Sequence, residues 1–225
     1  MATCNDFGPS LAMLAGTDLF AGLGGEAIQS LLPCLQAAPK RYRAGECLLQ
    51  AGDTVKSFGV VLSGSGRAFT EDLEGRQVLL ARLEPGSEIG VILSASRGRK
   101  SPVTVQAQTD MAVLTIPFSA VLARCPRACE SHERLLRNYL GIVAGKGLAL
   151  HERIDCLLKP TVREKVLSYL NHLAGEQGGR RVLAPLNRAS MAAYLNTDRS
   201  ALSRELSRMR RAGLIDFHKN SFQIL

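Results

Sequence analysis

The sequence predicts an α+β chain: an antiparallel β-sandwich or barrel, then one long helix, then a small winged helix-turn-helix. Three observations predict it. From Tyr42 to Ile116, short apolar runs alternate with glycine-bearing turns, the texture of many short strands joined by tight connections. From Leu136 to Leu157, apolar residues recur alternately four and three apart, which is the spacing of one helical stripe. From Asn187 to Leu225, two short amphipathic patterns are followed by a hairpin pattern.

Taken in order, Leu11 to Leu35 reads as short helices, with Leu19, Phe20, Ile28, Leu31, Leu32 and Leu35 as their apolar residues. The strand candidates follow: Cys47 to Leu49, Phe58 to Leu62, Val78 to Leu80, Val103 to Val105 and Val113 to Ile116. Ala51-Gly52-Asp53, Ser63-Gly64-Ser65-Gly66 and Glu84-Pro85-Gly86 separate them as turns. After Pro126 a long helix carries Leu136, Leu140, Val143, Gly147, Leu150, Ile154 and Leu157 as a heptad seam, the pattern by which two helices pair. Gly147 weakens that seam, and its small size also lets two backbones approach. Lys159-Pro160-Thr161 breaks the helix, because proline removes a donor and disfavours helix in the residue before it.

Thr161 is placed to cap a further helix through Leu173, with Val162, Val166, Leu170 and Leu173 inward and Gly175 to Gly179 as a loop. Val182-Leu183 reads as a brief strand. Asn187 and Asp198 cap the last two helices, and Asn196 suits the left-handed residue their turn needs. The hairpin turns near Lys219-Asn220, with Phe217, Phe222 and Ile224 over the helix pair. The expected domains are therefore 1–124, 125–158 (the pairing helix) and 159–225.

Charge separates these regions. The chain of 225 residues carries a net +8. From Lys159 onward twelve basic residues face five acidic ones, a surplus of seven, which leaves +1 for the first 158. A basic surplus confined to one end points to a polyanion bound there. The last helix shows how. Leu202, Leu206 and Met209 form its packed back, while Arg199, Ser200, Ser203, Arg204, Ser207, Arg208 and Arg211 share a broad front. Guanidinium forks grip guanine edges or phosphates, and serine bonds either, so this helix suits the major groove of DNA. With Arg188 at the start of the preceding helix and Lys219 at the hairpin turn, the expected DNA-contacting set is Arg188, Arg199, Ser200, Ser203, Arg204, Ser207, Arg208 and Lys219.

Here the chain resembles the cyclic-AMP-receptor and fumarate-nitrate-reductase regulator (CRP/FNR) family of bacterial transcription factors. The resemblance rests on Leu19 to Leu23, Tyr42 to Glu46, Ala51 to Asp53, Val61 to Gly66, Leu83 to Gly86 and, most specifically, Asp198 to Leu206. It implies a jelly-roll effector domain, a long dimer helix, a hinge, a winged helix that reads a palindrome on double-stranded DNA as a homodimer, and RNA polymerase as a partner. Carried over by position, Arg199, Ser200, Ser203 and Arg204 read bases. Several relatives have glutamate at the place of Ser200, so the usual family half-site is not expected to carry over at that base pair.

The effector site departs further from the family. Val91 stands where cyclic-nucleotide binders have the glutamate for the ribose hydroxyl, and Lys100-Ser101 stands for their arginine-serine pair. A lysine lacks arginine's fork. Cyclic AMP is not the expected effector, and Val91, Arg97, Arg99, Lys100 and Ser101 are the candidate residues for another anionic metabolite.

Of six cysteines, Cys4, Cys34 and Cys47 are too scattered for an iron–sulphur ligand run, and Cys125, Cys129 and His132 read as packing residues before a metal or redox site. No metal site is expected and the cofactor is unassigned. No charged segment precedes an apolar one at the start, the first basic residue being Lys40, and no run of about 18 apolar residues occurs, so a cytoplasmic protein without a membrane span is expected. No phosphate-binding glycine loop, nucleophile elbow or zinc-protease motif is present, which argues against an enzyme. The alternative is a jelly-roll regulatory or scaffold module whose basic end binds RNA or a partner protein. The scarcity of aromatics, 5% with no Trp, disfavours RNA stacking.

Overall fold

The structure is a computed structural model and describes residues 8–72, 74–96, 98, 100–123 and 130–225. It divides into two compact units, Met1–Ala144 and Gly145–Leu225.

In the first unit, eight strands form two antiparallel four-stranded sheets. One has the order β1 (Ala38–Tyr42), β8 (Met111–Pro117), β3 (Ser57–Ser63), β6 (Glu88–Ile89). The other has the order β2 (Cys47–Leu49), β7 (Thr104–Ala107), β4 (Gly66–Glu71), β5 (Gln77–Leu83). This is the double-sheet jelly roll. Strand alternation explains why β3 and β8 are apolar almost throughout. Phe58, Val60, Leu114 and Ile116 face one core, while Val61 and Val113 face another, shared with Leu83 and Val105 of the second sheet. The Ser63–Gly66 segment is the expected turn: Gly64 adopts φ +81°, and a Cβ there would stand 2.2 Å from the Asp110 carbonyl oxygen.

The helix-facing core is covered by α1 (Gly8–Ala15), a short 3₁₀ turn (Asp18–Phe20) and α2 (Gly25–Cys34), with α3 (Val91–Ala95) and α4 (Phe118–Leu122) at strand ends. Leu19, Phe20, Ile28, Leu31, Leu32 and Leu35 are all buried there.

α5 spans Glu130–Leu158. Its first half contributes a face that the heptad pattern does not single out: His132, Leu135 and Tyr139, spaced three and four apart, are buried in the first unit. The Tyr139 hydroxyl donates to the Val91 carbonyl at 2.7 Å, and its ring lies 5.0 Å from Phe58. The Asn138 amide donates to the carbonyls of Leu19 and Ala21 at 3.0 and 2.9 Å. Leu136 and Val143, expected in the pairing seam, pack partly against this same core. Leu140, Leu150 and Ile154 remain more than half exposed, as do Leu148 and Leu158.

The second unit holds α6 (Val162–Gln177), β9 (Arg181–Leu183), α7 (Arg188–Tyr194), α8 (Arg199–Arg211), β10 (Ile215–His218) and β11 (Ser221–Ile224). Thr161 and Glu164 form a reciprocal capping box, each side chain bonding the other's backbone amide. α6 continues through Gly175, which corrects the expected loop, because Gly178 in the left-handed region (φ +70°) supplies the stop. The strands form an antiparallel sheet in the order β10-β11-β9. Val166, Leu170, Met191, Leu195, Leu202, Leu206, Met209 and Phe222 fill the core, together with Cys156.

Candidate nucleic-acid interface

Two capped helices and a left-handed turn build this surface. The Asn187 carboxamide oxygen accepts from the amides of Ala189 and Ser190, both at 3.0 Å, and starts α7. α7 ends where Asn196 takes φ +46°, allowing the Thr197 amide to reach the Ala192 carbonyl at 2.9 Å. The Asp198 carboxylate then accepts from the amides of Ser200 and Ala201 at 2.8 and 3.0 Å and starts α8. The Ser200 hydroxyl also donates to that carboxylate. Together these bonds, the Ser200 hydroxyl's first, hold Asp198 below the usual carboxylate range.

Leu202, Leu206 and Met209 are buried under α8, as their spacing requires, so its opposite face is turned outward. Arg199, Ser200, Ser203, Arg204, Ser207 and Arg208 are all exposed. The serines share one local geometry. Ser203 donates to the Arg199 carbonyl at 2.9 Å and Ser207 to the Ser203 carbonyl at 3.0 Å. Each hydroxyl that donates backwards keeps its acceptor lone pairs, so this face offers acceptors through serine and donors through arginine.

The arginines are not equivalent. Among the described residues, no hydrogen bond or ion pair engages the guanidinium of Arg199 or Arg204. Arg208 reaches Glu205 loosely at 3.5 Å, while Glu205 is held more firmly by Arg163 of α6 at 2.8 Å. Arg210 pairs with Asp216 and lies 4.9 Å from the Phe217 ring. Arg188 was expected at the DNA, but the structure places it under the hairpin. Its Nη2 donates to the Lys219 carbonyl at 2.7 Å, and burial lowers its pKa. Lys219 itself is exposed at the hairpin turn with φ +51°. Sequence reasoning missed the ties of Arg163 and Arg210; Arg163 lies on a different helix from Glu205, and no spacing rule connects them.

Among the described residues, the expected effector positions Val91, Lys100 and Ser101 do not converge. The Val91 side chain is 3% exposed within the helix-facing core, and its carbonyl accepts from Tyr139 and Ser94. Ser101 is buried, its hydroxyl donating to the Val103 carbonyl at 2.7 Å, whereas Lys100 is exposed and bridged by backbone to Thr54. Arg97 and Arg99 lie outside the described residues. A cavity of about 500 Å³ opens in this unit, lined in part by Lys40, Tyr42, Leu49 and Lys56, and also by Thr54, the bridge partner of Lys100, and Gly90, which precedes Val91.

His132 is buried with Nε2 2.9 Å from the Val121 carbonyl, while Cys125 and Cys129 lie outside the described residues. Among the described residues, no group of three His, Cys, Asp or Glu side chains is placed to hold a metal ion. No helix of the described residues is long and apolar enough to cross a membrane.

Near the start of the second unit, a polar cluster joins the end of α5 to α6. Asp155 accepts from Lys159 and Ser168, both at 2.8 Å, and lies 3.8 Å from His172. The buried Cys156 thiol donates to Ser168 at 3.4 Å, and burial pushes its pKa up, which suits a packed thiol over a reactive one.

Comparison with known proteins agrees with this architecture. The cyclic nucleotide-binding domain family matches residues 39–127, and the Crp-like helix-turn-helix domain family matches residues 164–225. The chain is 26% identical to the transcriptional activator protein FnrA of Stutzerimonas stutzeri over 188 residues, covering 81% of this chain and 75% of the relative. It is 23% identical to electron transport regulator A of Shewanella oneidensis over 182 residues, covering 79% of this chain and 70% of the relative. The solved catabolite activator protein of Thermus thermophilus shares the fold with a TM-score of 0.56 at 22% identity, over 93% of this chain and 94% of that one. The two family matches span two thirds of the sequence, in the order that the sandwich and the capped helix pair occupy. The chain therefore belongs to the CRP/FNR family of transcriptional regulators, and it is a DNA-binding regulator and not an enzyme.

Proposed function

We propose that this regulator acts as a homodimer on a palindromic operator and responds to a small-molecule or redox effector other than cyclic AMP. The observation that carries the DNA-reading part is the front of α8: Arg199 and Arg204 exposed and unpaired among the described residues, on a helix whose back is buried. In this reading the two arginines grip base edges or phosphates, the serines accept from base amino groups, and Lys219 meets the backbone from the wing. Pairing of two copies along the exposed Leu140, Leu150 and Ile154 sets two half-sites about one helical turn apart. The effector part rests on chemistry that is absent: Val91 offers no carboxylate for a ribose hydroxyl, and Lys100 is a point charge without a fork. RNA polymerase is the partner through which such a bound dimer acts on transcription.

Selection of duplexes from a random pool by the purified protein tests this reading. A two-fold symmetric motif is expected. An enriched motif without symmetry overturns the dimeric reading, and preference for folded RNA over duplex overturns the DNA reading.

A further inference from the structure

We propose that Arg188 is a positioning residue of the DNA interface: it holds the wing turn so that Lys219 faces the phosphate backbone, and it does not touch DNA itself. This rests on the reading of Lys219 as a phosphate contact.

Arg188 opens α7, whose start is fixed by the Asn187 cap. From there its side chain runs to the hairpin. The guanidinium carbon lies 5.1 Å from the Phe217 ring centroid and 4.7 Å from that of Phe222. Those two rings are direct cross-strand partners on β10 and β11, with centroids 5.6 Å apart. Three planar groups thus close a triangle, one corner on the first helix of the pair and two on the wing. Nη2 adds the bond to the Lys219 carbonyl at 2.7 Å. That carbonyl belongs to a non-glycine residue in the left-handed region, φ +51°, a conformation that needs outside support.

The rest of the guanidinium argues against a phosphate contact. Nη1 is buried and has no hydrogen-bond partner. A group meant for phosphate presents its free donors to solvent, as Arg199 and Arg204 do; this one hides an unsatisfied donor beneath two rings. The Lys219 side chain stands exposed at the turn that Arg188 secures.

The test is a double-mutant cycle on binding of the full chain to a fluorescein-labelled mixed-sequence duplex about three helical turns long, read by anisotropy across a salt series. Lys219→Ala is expected to reduce the slope of log K against log salt by about 0.9 per protomer engaged, which is about eightfold in affinity at ~0.1 M salt. Arg188→Met is expected to lose the same amount, and the double variant no more than either single one. A double variant whose slope falls by twice that overturns the assignment and makes Arg188 a phosphate contact in its own right. If Lys219→Ala changes nothing, the reading of Lys219 and the role of Arg188 both fall. Phe217→Leu removes a ring and no charge, and is expected to reproduce the Arg188→Met loss; wild-type binding by that variant overturns the clamp even if Arg188→Met does not fold.

Discussion

Asp198, Arg199, Ser200 and Arg204 show how much a few residues decide. The Asp198 cap fixes where α8 begins, and therefore which residues occupy its first turn, the one proposed to enter a groove. Asp198→Ala is expected to cost about 0.5–2 kcal/mol of domain stability, measured by denaturant unfolding. Arg204→Ala is expected to leave stability unchanged, weaken binding to a selected duplex by about 1–3 kcal/mol, and relax preference at one position. Unchanged affinity and sequence preference would remove Arg204 from the reading set. The local framework was legible in the sequence because caps and helical faces are local: both N-caps, the left-handed Asn196 and the buried stripe under α8 stand where spacing puts them. Arg188 was not, because its fate depends on two aromatic residues on a hairpin that closes over it from the far end of the domain.

Among the elements, α5 presents two different rows on one helix. His132, Leu135 and Tyr139 bind it to the first unit, while Leu140, Leu150 and Ile154 stay exposed. A heptad pattern finds the second row and passes over the first, since buried positions against an irregular core follow no strict seven-residue repeat. If the chain pairs along this row as proposed, Leu150→Asp is expected to leave it monomeric, read by light scattering, without unfolding the jelly roll. A persistent dimer would move the interface elsewhere. The extension of α6 past Gly175 has a similar lesson, because one glycine inside a helix costs only about 1 kcal/mol against alanine and does not end it. The candidate effector residues were the least legible: Val91, Lys100 and Ser101 stand at the places the resemblance picks out, but the first turn of α3 sends Val91 into a core while Lys100 is left outside.

At the scale of the molecule, charge is the organising quantity. The surplus of basic residues lies in the last 67 positions, yet Arg163, Arg188 and Arg210 are tied within the fold. The DNA-facing charge is thus smaller than composition implies. Affinity is still expected to fall steeply with salt, about a thousandfold or more between roughly 50 and 200 mM if six or more phosphates are neutralised per dimer. Acid acts differently. Asp155 is held low by Lys159 and then Ser168, Asp198 by Ser200 and adjacent amides, and Asp216 by the Phe217 amide and then Arg210. A carboxyl with a depressed folded pKa contributes stability that is complete above the unfolded value, about 3.9, and is lost as pH falls through the folded value. Melting temperature is therefore expected to stay level from neutral pH down to roughly pH 5 and to drop below about pH 4; a decline already under way at pH 6 would point to other groups.

The bare row of Leu140, Leu150 and Ile154 has one more consequence. If operator binding needs two chains, and the row is weak because Gly147 interrupts it, then abundance itself becomes an input. At low copy number the bound fraction of a promoter rises with the square of chain concentration, so doubling expression quadruples occupancy. A gene under its own control through such a circuit acquires a threshold before any effector arrives.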